Sequence, residues 1–432
     1  TPTVRASSPN EAVRLRIELD RAVLPAGSPQ KAIVKVAFDC LPPPRSSRRP
    51  PINLALVIDR SGSMGGDKIR NAREAAFEAV RRLAPDDIVS LIAYDTRAET
   101  LVPAQRVGDG RRLEAAIARI EIAGSTALYD GVTRAAEEVR RHIEDQRYVN
   151  RIILLSDGLA NIGPSSPDAL ARLGSSLVRE GISVTTVGLG LGFNEDLMTR
   201  LAQCSDGNTY FVENSADLPR IFAAELGDVL NVVARHIAID ISFPRGVRPL
   251  GFVGRDGTIS GQNATVTLNQ LYGGQEKFAL VEVEVAANSA GAEREIANAT
   301  LSYEDAVTQR KAKLEAKTAV RFSGSEREVI ASANHRVQAD YAVNATAMAK
   351  DAAVDLIDAN RRDEAARQLR TRNLELKVIA ETYKNSAVQD VVTANTYEAD
   401  RLEKQGLSNS ARKSYRAENM QTINQQSVPS SH

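Results

Sequence analysis

At 432 residues the chain is too long for one ordinary core and implies two to three domains. Its 43% hydrophobic and 25% charged content is that of globular protein. Lys and Arg (55) balance Asp and Glu (55), which excludes the basic footprint of a nucleic-acid binder and a polybasic membrane patch, and no apolar run reaches bilayer-spanning length.

In chain order, residues 13–23 alternate apolar and polar as a half-buried strand does, and 32–39 form a second strand after the turn Pro25-Ala26-Gly27-Ser28-Pro29. Two strands are too few for a domain and need partners elsewhere. Residues 42–51, rich in Pro, Arg and Ser, read as a linker. Cys40 and Cys204 make neither a disulfide framework nor a zinc site; two buried free thiols are expected over a single bridge. Because the chain opens at Thr1 without a signal-like segment, the expectation is a removed signal peptide rather than trimming, and with it a periplasmic or cell-surface location rather than a cytoplasmic one.

From 52 to 231, strand and helix patterns alternate, implying a mostly parallel sheet covered by helices. The apolar run Ile52–Ile58 is a buried parallel strand that ends at Asp59-Arg60-Ser61-Gly62-Ser63, a loop carrying one carboxylate and two hydroxyls. Helices are expected at 68–83, 111–120, 128–144, 168–179, 195–203 and 216–231, and strands near 88–94, 98–102 (an antiparallel edge), 151–156, 182–187 and 208–213. The strand Arg151–Ser156 ends at Asp157-Gly158, and Ala123-Gly124-Ser125-Thr126 precedes a helix. Ligands in such sheets bind outside the carboxyl ends of the strands, and oxygen donors suit hard cations. Asp59, Ser61, Ser63, Thr126 and Asp157 together offer two carboxylates and three hydroxyls. Two carboxylates balance a divalent charge, while neutral hydroxyls leave the ion electrophilic. These residues resemble the metal-ion-dependent adhesion site of von Willebrand factor type A domains, an Asp-x-Ser-x-Ser motif with a later Thr and Asp; the resemblance covers roughly 50–232. It implies that Ser61, Ser63 and Thr126 bind a divalent cation directly (Mg2+ first, Mn2+ or Ca2+ as alternatives), with Asp59 and Asp157 acting directly or through water. A Glu or Asp of a protein partner would complete the coordination. In the family's adhesion members the last helix slides along its axis when the ion acquires that carboxylate, and Leu218, Ile221, Phe222, Leu226, Val229, Leu230 and Val233 would be its inward stripe here.

Strand patterns return at 236–243, 247–253, 264–269, 277–286, 295–304 and 312–321. The expected architecture is therefore α/β: a doubly wound, mostly parallel, Rossmann-like sheet at 50–232 inserted in a β-sandwich made of 12–40 plus 235–321. This resembles a group of bacterial proteins in which such a domain interrupts a sandwich. The Ala-, Arg- and Glu-rich stretch 325–420 is helical, with a small-residue stripe from Ala342 to Leu356 suited to close packing, a turn at 358–362 and a helix from Ala365 to Tyr383. It reads as a helical bundle or arm on the sandwich, or one unit of a helical repeat, and the polar tail 421–432 as disordered.

No P-loop is present, and Gly188-Leu189-Gly190-Leu191-Gly192 has the wrong spacing for a dinucleotide loop because Phe193 takes the final Gly position. No nucleophile elbow surrounds Ser61 or Ser63, and the four histidines are scattered. The leading reading is a non-enzymatic, metal-dependent protein-binding module for adhesion or scaffolding. The alternatives are an intracellular assembly subunit working with a ring ATPase, a use the family also has, and a metal-dependent hydrolase, disfavoured because no third carboxylate or His joins the set as a base.

Overall fold

A computed structural model of the protein describes residues 4–7, 13–41 and 49–426. The first strands are β1 (Val4–Ser7), β2 (Val13–Leu19), β3 (Val23–Pro25) and β4 (Gln30–Cys40). The single strand expected over 13–23 is broken in two. The Asp20 carboxylate accepts the Ile33 amide at 2.9 Å, which ends the β2 ladder. The chain then crosses to another sheet, where β3 runs beside a much later strand. Alternation of side chains does not register such a crossing. Most of the expected linker, 42–48, lies outside the described residues.

The central segment follows as β5 (Ile52–Asp59), α1 (Asp67–Arg82), β6 (Ile88–Tyr94), β7 (Ala98–Arg106), α2 (Arg111–Ala118), α3 (Leu128–Arg140), β8 (Val149–Ser156), α4 (Pro167–Arg179), β9 (Ile182–Leu189), α5 (Glu195–Cys204), β10 (Thr209–Val212) and α6 (Leu218–Val229). The six strands form one sheet in the order β10-β9-β8-β5-β6-β7, parallel except for the antiparallel edge β7. β5, β6, β8 and β9 are buried along their whole length, which explains their near-continuous apolar sequences. On one face α1 and α6 pack through Ala72, Ala76, Leu218 and Phe222; on the other, α3 and α5 pack through Val132, Ala136, Leu197 and Leu201. From β5 the chain goes to β6 on one side and later returns to β8 on the other. The strand order therefore reverses between β5 and β8, which opens a crevice at their carboxyl ends.

The remaining strands are β11 (Val232–Ser242), β12 (Val247–Val253), β13 (Thr258–Ser260), β14 (Asn263–Tyr272), β15 (Glu276–Val285), β16 (Glu293–Asp305) and β17 (Lys311–Ser323). They make two sheets, β1-β2-β4-β15-β12 and β13-β14-β11-β16-β17-β3, which share one core containing Leu15, Ile17, Phe38, Ile239, Leu301 and Phe322. A turn at 273–274 ties the two ends of the central segment together: Gly274 donates to the Cys40 carbonyl (2.7 Å) and Gly273 to that of Asn231 (2.8 Å). Both cysteines are free; Cys40 is buried and Cys204 partly exposed, against the expectation of two buried thiols. Burial pushes the Cys40 thiol up to about 12.

Among the described residues five helices follow: α7 (Glu326–Ala331), α8 (His335–Asp358), α9 (Arg362–Tyr383), α10 (Ser386–Gln405) and α11 (Asn409–Ile423). Asn334, Asn385 and Ser408 cap three of their N-termini through side-chain oxygens, and Gly406 at φ 68 ends α10. The small side chains Ala342 and Ala345 bring α8 close to the outer face of the first sheet at Ala37, Phe278 and Leu280. The expectation of a disordered tail from 421 does not hold for 421–426. α11 turns back onto the central segment, where the Gln426 side chain accepts from Thr209 N (3.0 Å) and donates to Thr209 O (3.1 Å), capping the edge strand β10. Residues 427–432 lie outside the described residues.

Candidate metal centre

Asp59 ends β5 and Asp157 follows β8, so the two neighbouring strands at the crevice each deliver one carboxylate. Both are fully buried. The Asp59 carboxylate takes the Ser61 amide (2.9 Å) on one oxygen, and Ser156 Oγ (2.9 Å) and Tyr94 OH (3.3 Å) on the other. Burial raises its pKa, and the charge of Asp157 adds to that, against hydrogen bonds from Ser61 and Ser156 that pull it down. The Ser63 hydroxyl donates to Asp157 Oδ1 at 2.6 Å and lies 3.1 Å from Ser61 Oγ.

Thr126 comes from the loop before α3. That loop is pinned by Gly62 N to Gly124 O (3.2 Å), Ala123 N to Arg60 O (2.7 Å) and Thr126 N to Asn161 Oδ1 (2.9 Å). Gly124 sits at φ 54, where a Cβ would come within 2.4 Å of Thr96 Oγ1, so only glycine lets the loop close. A Cβ on Gly158 would stand 2.9 Å from Thr126 Oγ1, 3.3 Å from Ser63 Oγ and 3.7 Å from Ser61 Oγ. The three hydroxyls thus face one small volume, which the missing side chain of Gly158 keeps open. All five residues singled out in the sequence are brought together here.

The donor set is two carboxylates and three hydroxyls; among the described residues no three His, Cys, Asp or Glu side chains gather as a metal cluster. Hard divalent cations prefer such neutral and anionic oxygens, so the residues present fit the ion that the motif implies. One contact was not legible in the sequence. Lys68, in the first turn of α1, places its ammonium 2.5 Å from Asp157 Oδ2 and 3.3 Å from the Ser63 carbonyl. A lysine at the start of a helix reads as ordinary surface, and only the fold of the 61–66 loop brings it back over the carboxylate. Tyr94 and Ser156 were also missed as partners of Asp59. The strand pairing Asp59 with Tyr94 is the signal that could have found the tyrosine.

Residues 53–224 match the family model of the von Willebrand factor type A domain. An uncharacterized protein of Synechocystis sp. is 31% identical over 247 residues, which is 55% of this chain and 58% of that protein. The uncharacterized protein YfbK of Escherichia coli is 26% identical over 217 residues, 50% of this chain and 37% of that protein. The chain thus spans less than two thirds of either relative. The solved structure of a von Willebrand factor type A protein from Catenulispora acidiphila superposes with a TM-score of 0.70 at 17% identity, covering 96% of this chain and 97% of that one. At that identity the likeness is one of fold, and it extends over the sheets and helices beyond the matched domain.

Proposed function

We propose that the von Willebrand factor type A domain of this chain is a protein-binding module whose recognition surface includes a divalent cation held by Asp59, Ser61, Ser63, Thr126 and Asp157. The observation that carries the reading is the convergence of three hydroxyls on the volume beside Gly158, between two buried carboxylates. A divalent ion there, Mg2+ in this reading, supplies an electrophile. The hydroxyls do not neutralise it, so a carboxylate from a partner protein is the ligand that satisfies it. The chain's own residues fix the donors: Ser156 and Tyr94 orient Asp59, and Asn161 holds the Thr126 loop.

We read the protein as a binder rather than an enzyme, because the groups beside the donors are a lysine paired to Asp157 and hydroxyls bonded to Asp59, with none placed as a general base. Placement outside the cytoplasm is part of the same proposal; none of the helices among the described residues is long and apolar enough to cross a membrane. Mn2+ titration followed by water proton relaxation tests the site. Wild type is expected to bind one ion, and Asp59→Asn, which keeps the shape and one acceptor oxygen for the Ser61 amide but removes the charge, to weaken binding at least about 100-fold, or about 2.7 kcal/mol. An Asp59→Asn protein that melts like wild type and still binds Mn2+ as tightly would remove the metal from the function.

A further inference from the structure

The loops that surround the site are unlike the rest of the surface. Residues 61–66, 122–127, 158–166 and 190–194 contain no charged side chain, in a chain where 25% of residues are charged; the charges at their margins include Arg60, paired to Asp95 and Glu99, the exposed Glu121, and Arg97 in the adjoining 95–97 turn. Three of these loops each expose one large apolar side chain: Ile122 (50%), Leu159 (60%) and Leu191 (46%). All three border the donors. Ile122 Cδ1 lies 3.9 Å from where a Gly65 Cβ would stand, Leu159 follows Gly158, and the Leu191 loop packs so closely that a Cβ on Gly192 would meet the Asp157 carbonyl at 2.7 Å. Loss of charge around exposed aliphatic side chains is the composition of an interface centre, not of free surface. The charges of the site lie at its floor: Asp59, Asp157 and the Lys68 ammonium. With a divalent ion added to two carboxylates, and Lys68 beside them, the floor keeps no net negative charge and lies inside a rim whose central stretches are uncharged and apolar.

From this juxtaposition we propose that the partner offers a single carboxylate flanked by bulky apolar side chains, rather than an acidic cluster. The inference rests on the proposed metal-dependent reading and names the partner's chemistry. The apolar flanks cover Ile122, Leu159 and Leu191, and the one carboxylate meets the ion at the floor. A run of acids would bring further charges onto the uncharged stretches of the rim, where Lys68 and Arg60 are already paired to Asp157 and to Asp95 and Glu99.

The test uses the full chain with Mg2+ and four blocked synthetic peptides of equal length, whose centres are Leu-Glu-Leu, Ser-Glu-Ser, Glu-Glu-Glu and Leu-Gln-Leu. Affinities are measured by calorimetry at two salt concentrations. The Leu-Glu-Leu peptide is expected to bind at least about tenfold tighter than the other three, with little salt dependence. The combined variant Ile122→Ser, Leu159→Ser, Leu191→Ser is expected to lose that preference while binding Mn2+ within about twofold of wild type. Equal or better binding of the Ser-Glu-Ser or Glu-Glu-Glu peptide, or no binding of Leu-Glu-Leu, overturns the rim proposal and leaves the metal site standing if Mn2+ still binds. A metal-dependent dimer in sedimentation would seat a second copy on this rim and also overturn it. Failure of Mn2+ to bind wild type removes the metal-dependent reading itself.

Discussion

On the proposed reading, Lys68 sets how strongly the candidate centre would hold a divalent ion. Two carboxylates would cancel a divalent charge, but the ammonium on Asp157 already cancels one of them. An incoming cation must displace the lysine or share Asp157 with it, and like charges this close repel strongly beside buried carboxylates. Lys68→Gln is therefore expected to tighten Mn2+ binding at least about tenfold, on the order of 1.4 kcal/mol, while Lys68→Arg stays near wild type. An unchanged affinity in the Gln protein would show that the lysine swings clear at no cost. The five residues gathered here could be picked out in the sequence because each sits in a short polar turn after a strand or before a helix and together they match the motif of the family the chain resembles; singly, such residues are ordinary turn formers and helix caps. Lys68, Tyr94 and Ser156 were not, because nothing in a lysine's or tyrosine's neighbours along the chain reports contacts made 35 to 97 residues away.

Among the elements, α6 bears on whether binding could be passed on as motion. Its buried Glu225 accepts from Thr185 Oγ1 (2.5 Å), Asn208 Nδ2 (2.8 Å) and Tyr210 OH (3.1 Å), all on or beside β9 and β10. The fully buried guanidinium of Arg151 lies 3.6 Å from the same carboxylate. A slide of α6 along its axis would strip these bonds, so the geometry favours a fixed helix over the sliding one that the resemblance implied. Glu225→Ala would remove the carboxylate nearest to the Arg151 charge and leave Asp206 and Asp228 to offset it, and Arg151 Nε and Nη1 already have no hydrogen-bond partner. The substitution is expected to cost about 3–5 kcal/mol in urea unfolding; a loss under about 1 kcal/mol would mean that the anchor is slack. Element positions followed well from periodicity, since buried strands and one-sided helices write their faces into the sequence. The start of α6 did not. Asn214 caps a short 3-10 turn at Ser215–Asp217, and the α-helix begins only before Pro219, a proline position compatible with helix starts but not diagnostic of one.

At the scale of the whole molecule, three parts of the chain meet at buried titratable groups. Lys277 of β15 donates to the carbonyls of Asn424 and Gln425 after α11, and Asp228 of α6 lies in the same region. Burial, with Arg255 adding, pushes the Lys277 pKa down from 10.5 to about 7. Between those values the unfolded chain holds a proton that the folded chain has released, so stability rises with pH there, by at most about 1.4 kcal/mol per unit. Burial, with Glu225 adding, raises Asp228 from 3.8 to about 6, so its contribution is complete below 3.8 and is lost as pH climbs through 6. Melting temperature is expected to fall from pH 4 to 6 and to climb above 7, with the climb much reduced in Lys277→Met; a flat profile above 7 in wild type would refute the assignment. This joint was invisible in the sequence, because residues 424–426 look like polar tail and acquire their role only from carbonyls presented to a lysine some 147 residues earlier.

The turn at 273–274 also decides what happens when a bound partner pulls. Residues 52–231 leave the pair of sheets at the end of β4 and return at the start of β11, and the turn holds those two points together. β4 lies between β2 and β15, and β11 between β14 and β16, so each is hydrogen-bonded on both sides. Tension directed along these two interior strands would load their hydrogen bonds together, in shear, instead of peeling an edge strand one bond at a time. The central segment is moored like a rope through two adjacent cleats, and the part that grips a partner can be strained without unzipping the part that holds it.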